Sequence, residues 1–377
     1  MPETPFVPLL LSALREPSQV DSLGPLQWDV LVRQARTANL LARLADLLLS
    51  EPQRAAHVPP AVRTHLESAL CIARRQQLSS QWELTCIAQA LQSASIRAVV
   101  LKGAAYAALG LPFAATRLFG DIDILVAEPD LAAAETALLI KGWAAGPMSD
   151  YDQRYYRRWM HELPPMHHRR RGTTVDVHHA LLPRTARVKM DGSRLFDGLI
   201  PLPNHPGLWV LPPATMVLHS AIHLFHEGEL GNGLRDLFDL DAMLRHFGTD
   251  PGFWWTLVET AQAMGGGRPL YYALAMTQRM LGTPVPAPTL IATRTMGPPA
   301  PLAGLMDWLF RQALVPVHPS CSSPSRRLAW LVLYVRSHWL RMPTLLLAAH
   351  LGRKVWRRIG GQEAREAEQR ERVENQA

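Results

Sequence analysis

The sequence predicts an α+β fold: a small mixed β-sheet core with flanking helices and a helical C-terminal domain. Three textures along the chain predict it. Apolar residues recur at three- and four-residue spacing through 26–49 and 61–94, short β-branched or alternating runs follow at 96–101, 121–126 and 173–178, and helical spacing returns from 211 onward. The 377 residues exceed what one hydrophobic core usually organises. The expected divisions are an N-terminal helical segment at 1–94, the core at 95–205, a helical domain at 206–283, a proline-rich connection at 284–327, and an amphipathic helix with a charged tail at 328–377.

Composition narrows the class. Hydrophobic residues at 48% and charged residues at 19% supply a core and exclude wholesale disorder. A net charge of +7 favours anionic partners without choosing among nucleotide, nucleic acid and acidic membrane. Three widely spaced cysteines, Cys71, Cys86 and Cys321, argue against a disulfide framework and a four-ligand zinc site, so a reducing cytoplasm is expected. The N-terminus lacks a basic run and a cleavage site; its apolar stretch 7–14 reads as a helix, and export is not expected.

The elements follow in order. Helical spacing at 26–49 and 61–94, broken by Glu51, Pro52, Pro59 and Pro60, gives two or three amphipathic helices. The run IRAVVLKG, from Ile96 to Gly103, reads as a buried strand opening into a turn; 104–109 is a short helix stopped by Gly110. In LFGDIDILVA, Ile122, Ile124 and Val126 alternate with Asp121, Asp123 and Leu125, so Asp121 and Asp123 share one face of a strand. Residues 129–142 form a helix with Asp130 as its cap, and TTVDVH at 173–178 is a further strand carrying Asp176 between two valines.

Two carboxylates on one strand face repel each other, and burying them without partners is expensive. A divalent cation removes that cost, because Mg²⁺ prefers carboxylate oxygens. The plainer alternative is a turn at 120–123 whose aspartates cap backbone amides. The upstream Lys-Gly, the intervening helix and the third strand carboxylate favour the metal reading.

The stretch VVLKGAAYAALGLPFAATRLFGDIDILVAEPDLAAAETALLIKGW, followed by TTVDVHHALL, resembles the bacterial nucleotidyltransferase family of largely uncharacterised proteins within the polymerase beta-like superfamily. The resemblance covers about 95–245. It implies a nucleotidyltransferase core in which two Mg²⁺ ions, held by Asp121, Asp123 and Asp176, assist transfer of a nucleoside monophosphate from a nucleoside triphosphate to an acceptor hydroxyl, with pyrophosphate leaving. The catalytic residues would be those three aspartates, and the nucleotide-binding residues Lys102, Gly103, Arg117 and Gly120. The superfamily's usual Gly-Ser or Gly-Gly after the first strand is here Lys102, Gly103, Ala104, so the serine contact is missing; Lys102 is a serviceable phosphate partner in its place, or else a solvated strand-end lysine. Arg117 would clamp phosphate or neutralise the carboxylates. His178 shares the face of Asp176 and either touches substrate, supports the carboxylate, or is a structural strand-end histidine. The acceptor, whether small molecule, RNA or protein, is left open, as is the base.

Other segments carry competing readings. YDQRYYRRWMHELPPMHHRRR at 151–171 mixes aromatic and basic residues as a nucleic-acid surface does, but a hairpin rim between strands has the same composition and is favoured. His219, His223 and His226 fall at i, i+4 and i+7, which with Asp236 or Asp239 offers a metal-dependent phosphohydrolase as the alternative enzyme. That reading needs the histidines to converge with a carboxylate, as the transferase needs its three aspartates to converge. A catalytically silent binding module is the third class. Residues 328–359 hold Trp339 and Trp356 beside basic side chains, a pattern that fits peripheral membrane contact and, preferentially, packing on the helical domain.

Overall fold

The computed structural model describes residues 7–147, 160–228 and 230–343. The chain begins with five helices: α1 (Leu9–Arg15), α2 (Pro25–Thr37), α3 (Leu41–Leu49), α4 (Pro52–His57) and α5 (Pro60–Gln92). Proline opens α2, α4 and α5, where its missing N–H costs nothing and its fixed φ suits the first turn. The 33 residues of α5 run without a break.

Next comes a mixed sheet of seven strands, β1 (Ala98–Val100), β2 (Asp121–Val126), β3 (Trp143–Ala145), β4 (Met166–His168), β5 (Thr174–His178), β6 (Ile200–Pro201) and β7 (Leu208–Val210). Their order is β3-β4-β5-β2-β1-β7-β6. The β2–β5 and β1–β7 pairs are parallel and the others antiparallel. Helix α6 (Lys102–Ala108) follows β1, and α7 (Leu131–Ile140) follows β2. The expected α+β class is therefore what the chain adopts. One detail differs: Asp130 makes no cap bond to α7 and instead closes a 3₁₀ turn, Glu128–Asp130.

The segment expected at 284–327 as a proline-rich connection contains two helices, Ala287–Arg294 and Ala300–Ala313. Their prolines cluster in the cap and first turn, positions that tolerate proline, so they start helices rather than prevent them. Before them lie helices Pro213–Ile222, Gly233–Phe247, Pro251–Ala263 and Gly267–Leu281, with a π turn at His223–Glu227. One cluster of buried apolar side chains runs from Leu10 to Leu333.

Helix Pro324–Arg341 packs against Ala300–Ala313, and Arg336 Nη1 donates to the Phe225 carbonyl at 2.8 Å. Among the described residues no helix is long and apolar enough to cross a membrane. Trp356 and the tail lie outside the described residues, as does 151–159 of the aromatic and basic segment. The remainder of that segment supplies β4, which pairs antiparallel with β3 and β5.

Candidate active site

Strands β2 and β5 run parallel in a register that sets Asp123 directly beside Asp176 and Asp121 beside Thr174. Because side chains alternate along a strand, Asp121 and Asp123 share a face with Asp176 and His178. The other face carries Ile122, Ile124, Val175 and Val177, all buried. Burial of each stabilises the fold by about 1.5–3 kcal/mol. A one-residue slip would exchange them for the aspartates, so the apolar face holds the acidic one in place.

Lys102 comes next, at the junction of β1 and α6, where its φ of 47° lies in the left-handed region. Its Nζ donates to Asp123 Oδ1 at 3.0 Å. The same oxygen accepts from His178 Nε2 at 3.0 Å, while His178 Nδ1 lies 3.5 Å from Glu162 Oε2. Asp123 is thus buried but doubly partnered.

The three aspartates differ accordingly. Burial alone would raise the Asp123 carboxyl, but Lys102 and His178 outweigh it and hold the group well below the usual range. Asp176 is pushed up to about 8, first by burial and then by Asp123, Glu162 and Asp121. Its Oδ1 is buried without a hydrogen bond from the protein. Asp121 is exposed at the start of β2, and its carboxyl is also raised, by partial desolvation within the cavity and by Asp123. The arrangement therefore keeps one carboxylate firmly ionised and leaves two short of positive charge.

All three line a cavity of about 1060 Å³, together with Lys102, Gly103 and Gly120. Among the described residues, their oxygens do not all come within 4.8 Å of one another. Like charges repel, and Lys102 and His178 both engage Asp123 Oδ1. Gly120 is open to the cavity, with nothing within 4 Å of where a Cβ would stand.

Arg117 stands in the site and lowers the Asp121 carboxyl, as a neutralising cation would. Its guanidinium reaches the cavity wall, but its ion pairs are with the helical side: Nε to Asp239 Oδ2 at 2.5 Å and Nη2 to Asp236 Oδ1 at 3.8 Å. It lies against the rings of Tyr106 and Phe119. A Cβ on Gly103 would collide with its Nη1, so the glycine makes room for the arginine. The loop carrying Arg117 and Gly120 is tied to α5, whose Gln76 accepts from the Phe119 amide at 3.3 Å and donates to its carbonyl, and whose Gln77 donates to the Ala114 carbonyl.

His219, His223 and His226 do not meet a carboxylate as a ligand group among the described residues. The π turn at His223–Glu227 alters the residues per turn on which their common face depends, and Asp236 and Asp239 are taken up by Arg117. His223 lines the cavity, whereas His226 is buried. Sequence reasoning passed over Glu162, one of only two acidic residues in 151–171, which was the available signal. It also passed over buried Glu83 of α5, which holds Arg171 through Nε at 2.5 Å and Nη2 at 2.9 Å. Arg171 is thereby anchored to α5.

A family model described as an uncharacterised nucleotidyltransferase matches residues 24–282. The chain belongs to this family. The match extends from α2 to the end of helix Gly267–Leu281, beyond the stretch in which the sequence resemblance was clear, and takes in every strand of the sheet. No curated protein and no solved structure matches the chain.

Proposed function

We propose that this nucleotidyltransferase moves a nucleoside monophosphate from a nucleoside triphosphate to an acceptor hydroxyl, releasing pyrophosphate, at the cavity lined by Asp121, Asp123 and Asp176. The observation that carries the reading is the Asp123–Asp176 pair on parallel strands, with a buried Asp176 oxygen that the protein leaves without a hydrogen bond.

The donor set suits Mg²⁺: three hard carboxylate ligands, two of them raised in pKa by desolvation and by one another's charge. Two Mg²⁺ ions held by Asp121, Asp123 and Asp176 would activate the acceptor oxygen and neutralise the leaving pyrophosphate. The chain's own groups do the rest. Lys102 exchanges Asp123 for a triphosphate oxygen, as an ammonium can serve either anion. His178 keeps its hydrogen bond to Asp123 and so holds that carboxylate in orientation as Lys102 leaves it. Asp176 takes up the acceptor's proton as the hydroxyl attacks. Arg117, engaged by Asp236 and Asp239, fixes the helical wall of the cavity against the sheet rather than binding phosphate. At about 1060 Å³ the cavity lies at the upper end of the usual range for a ligand site.

The test is pyrophosphate release from each nucleoside triphosphate with Mg²⁺, in the presence of small-molecule, RNA and protein acceptor fractions. Acceptor-dependent pyrophosphate that disappears in Asp121→Asn supports the proposal. Release of orthophosphate instead would make the protein a hydrolase and contradict it.

A further inference from the structure

We propose that His161, Glu162 and His178 form a binding site for a divalent transition-series cation of the Zn²⁺ class, separate from the strand carboxylates. One ligand atom from each of the three lies within 4.8 Å of the others. His161 and His178 are both 5% exposed, while the Glu162 side chain remains 22% exposed, so the group is sunk into the wall and open on one side. All three line the same cavity.

The backbone prepares the ligands. Residues 161–163 run antiparallel beside the end of β5: the His179 amide donates to the His161 carbonyl and the Leu163 amide to the Val177 carbonyl, each at 2.8 Å, with Glu162 bridged to His178. The two histidine rings sit 5.4 Å apart between centroids. Tetrahedral bonds of about 2.0–2.1 Å place ligand atoms about 3.4 Å from one another. His178 Nδ1 and Glu162 Oε2, at 3.5 Å, already have that separation.

Ligand chemistry decides the ion. Two imidazoles and one carboxylate suit Zn²⁺ and its transition-series neighbours, whereas Mg²⁺ requires oxygen. Three protein ligands leave a fourth position, as in catalytic rather than structural zinc sites, and the open side here is the cavity. His178 adds a connection. With Nδ1 on the cation, its Nε2–H remains hydrogen-bonded to Asp123, the carboxylate–histidine–metal arrangement that fixes a ligand's tautomer and orientation. One imidazole would then join the transition-metal site to the strand carboxylates. None of this depends on nucleotidyl transfer.

The test uses the full chain, stripped with chelator and titrated with Co²⁺, whose visible absorption reports nitrogen ligation, followed by displacement with Zn²⁺. One equivalent of nitrogen-ligated Co²⁺ is expected in the wild type and in Asp121→Asn/Asp176→Asn, and none in His161→Asn/Glu162→Gln, whatever oxygen-ligated Co²⁺ the strand carboxylates take up. Asp123→Asn should weaken affinity by about 10–100-fold without abolishing binding, as removal of an outer-shell partner does. Thermal melts without metal establish that each variant is folded. No nitrogen-ligated Co²⁺ in the wild type, or nitrogen-ligated absorption that survives His161→Asn/Glu162→Gln, overturns the site. Loss of that absorption in Asp121→Asn/Asp176→Asn places the ion on the strand carboxylates and overturns it equally.

Discussion

Arg117 and Asp239 stand 122 positions apart in sequence yet form a buried ion pair, Nε to Oδ2 at 2.5 Å, that joins the loop before β2 to helix Gly233–Phe247. Burial would lower the guanidinium's pKa, but Asp239 and Asp236 outweigh it and hold the charge in place. Removing Asp239 leaves the buried guanidinium with only the longer contact to Asp236, at 3.8 Å. Asp239→Ala is expected to cost about 3–5 kcal/mol in denaturant unfolding, whereas Arg117→Met/Asp239→Leu should recover most of that loss. Equal destabilisation in the single and double variants would show that packing, not charge, holds this contact.

Gly103→Ala tests the same junction from the sheet side. The added methyl would collide with Arg117 Nη1 and meet Phe119 Cδ1 at 3.0 Å. A free arginine end would swing aside, but this one is pinned by Asp239 and two aromatic rings. A loss of about 1–3 kcal/mol is expected from urea melts, and Gly120→Ala, with open space around it, should change stability by less than about 0.5 kcal/mol.

Asp176 gives a pH dependence whose sign is fixed. Its carboxyl rises from 3.8 in the unfolded chain to about 8 in the fold, so the native state favours the protonated form. Its contribution is fully present below the unfolded value and is lost as pH climbs through the folded one. In metal-free protein, the melting temperature of wild type relative to Asp176→Asn should therefore fall between about pH 4 and pH 8. A flat difference across that range would mean Asp176 is not held as the account describes.

Lys102→Met separates positioning from phosphate binding. If Lys102 takes up a triphosphate oxygen, its loss removes a charged hydrogen bond worth about 2 kcal/mol, or about 30-fold in Kd. Affinity for each nucleoside triphosphate, measured with Mg²⁺ in excess, should fall by that order. Unchanged affinity would leave Lys102 as a partner of Asp123 alone.

What the sequence made legible was local and periodic. The alternation in DIDILV assigned Asp121 and Asp123 to one face without knowledge of neighbours, and VDV did the same for Asp176. The register that sets Asp123 beside Asp176 is a pairing across 53 residues, and no single segment displays it. Arg117 was noticed for its position before Gly-Asp, but its partners lie on a distant helix, so its role was legible only in three dimensions. Histidines 219, 223 and 226 looked like one face because 3.6 residues per turn was assumed, and the π turn breaks that assumption. The helix Ala287–Arg294 was hidden by prolines that in fact occupy its start.

The most direct measurement is isothermal titration of the purified protein with each nucleoside triphosphate, with and without Mg²⁺, beside an Asp121→Ala/Asp123→Ala variant that retains its fold by circular dichroism. The account predicts saturable binding of at least one triphosphate that requires Mg²⁺ and vanishes in the variant. Absence of binding to any triphosphate, or binding that persists unchanged in the variant, would contradict it.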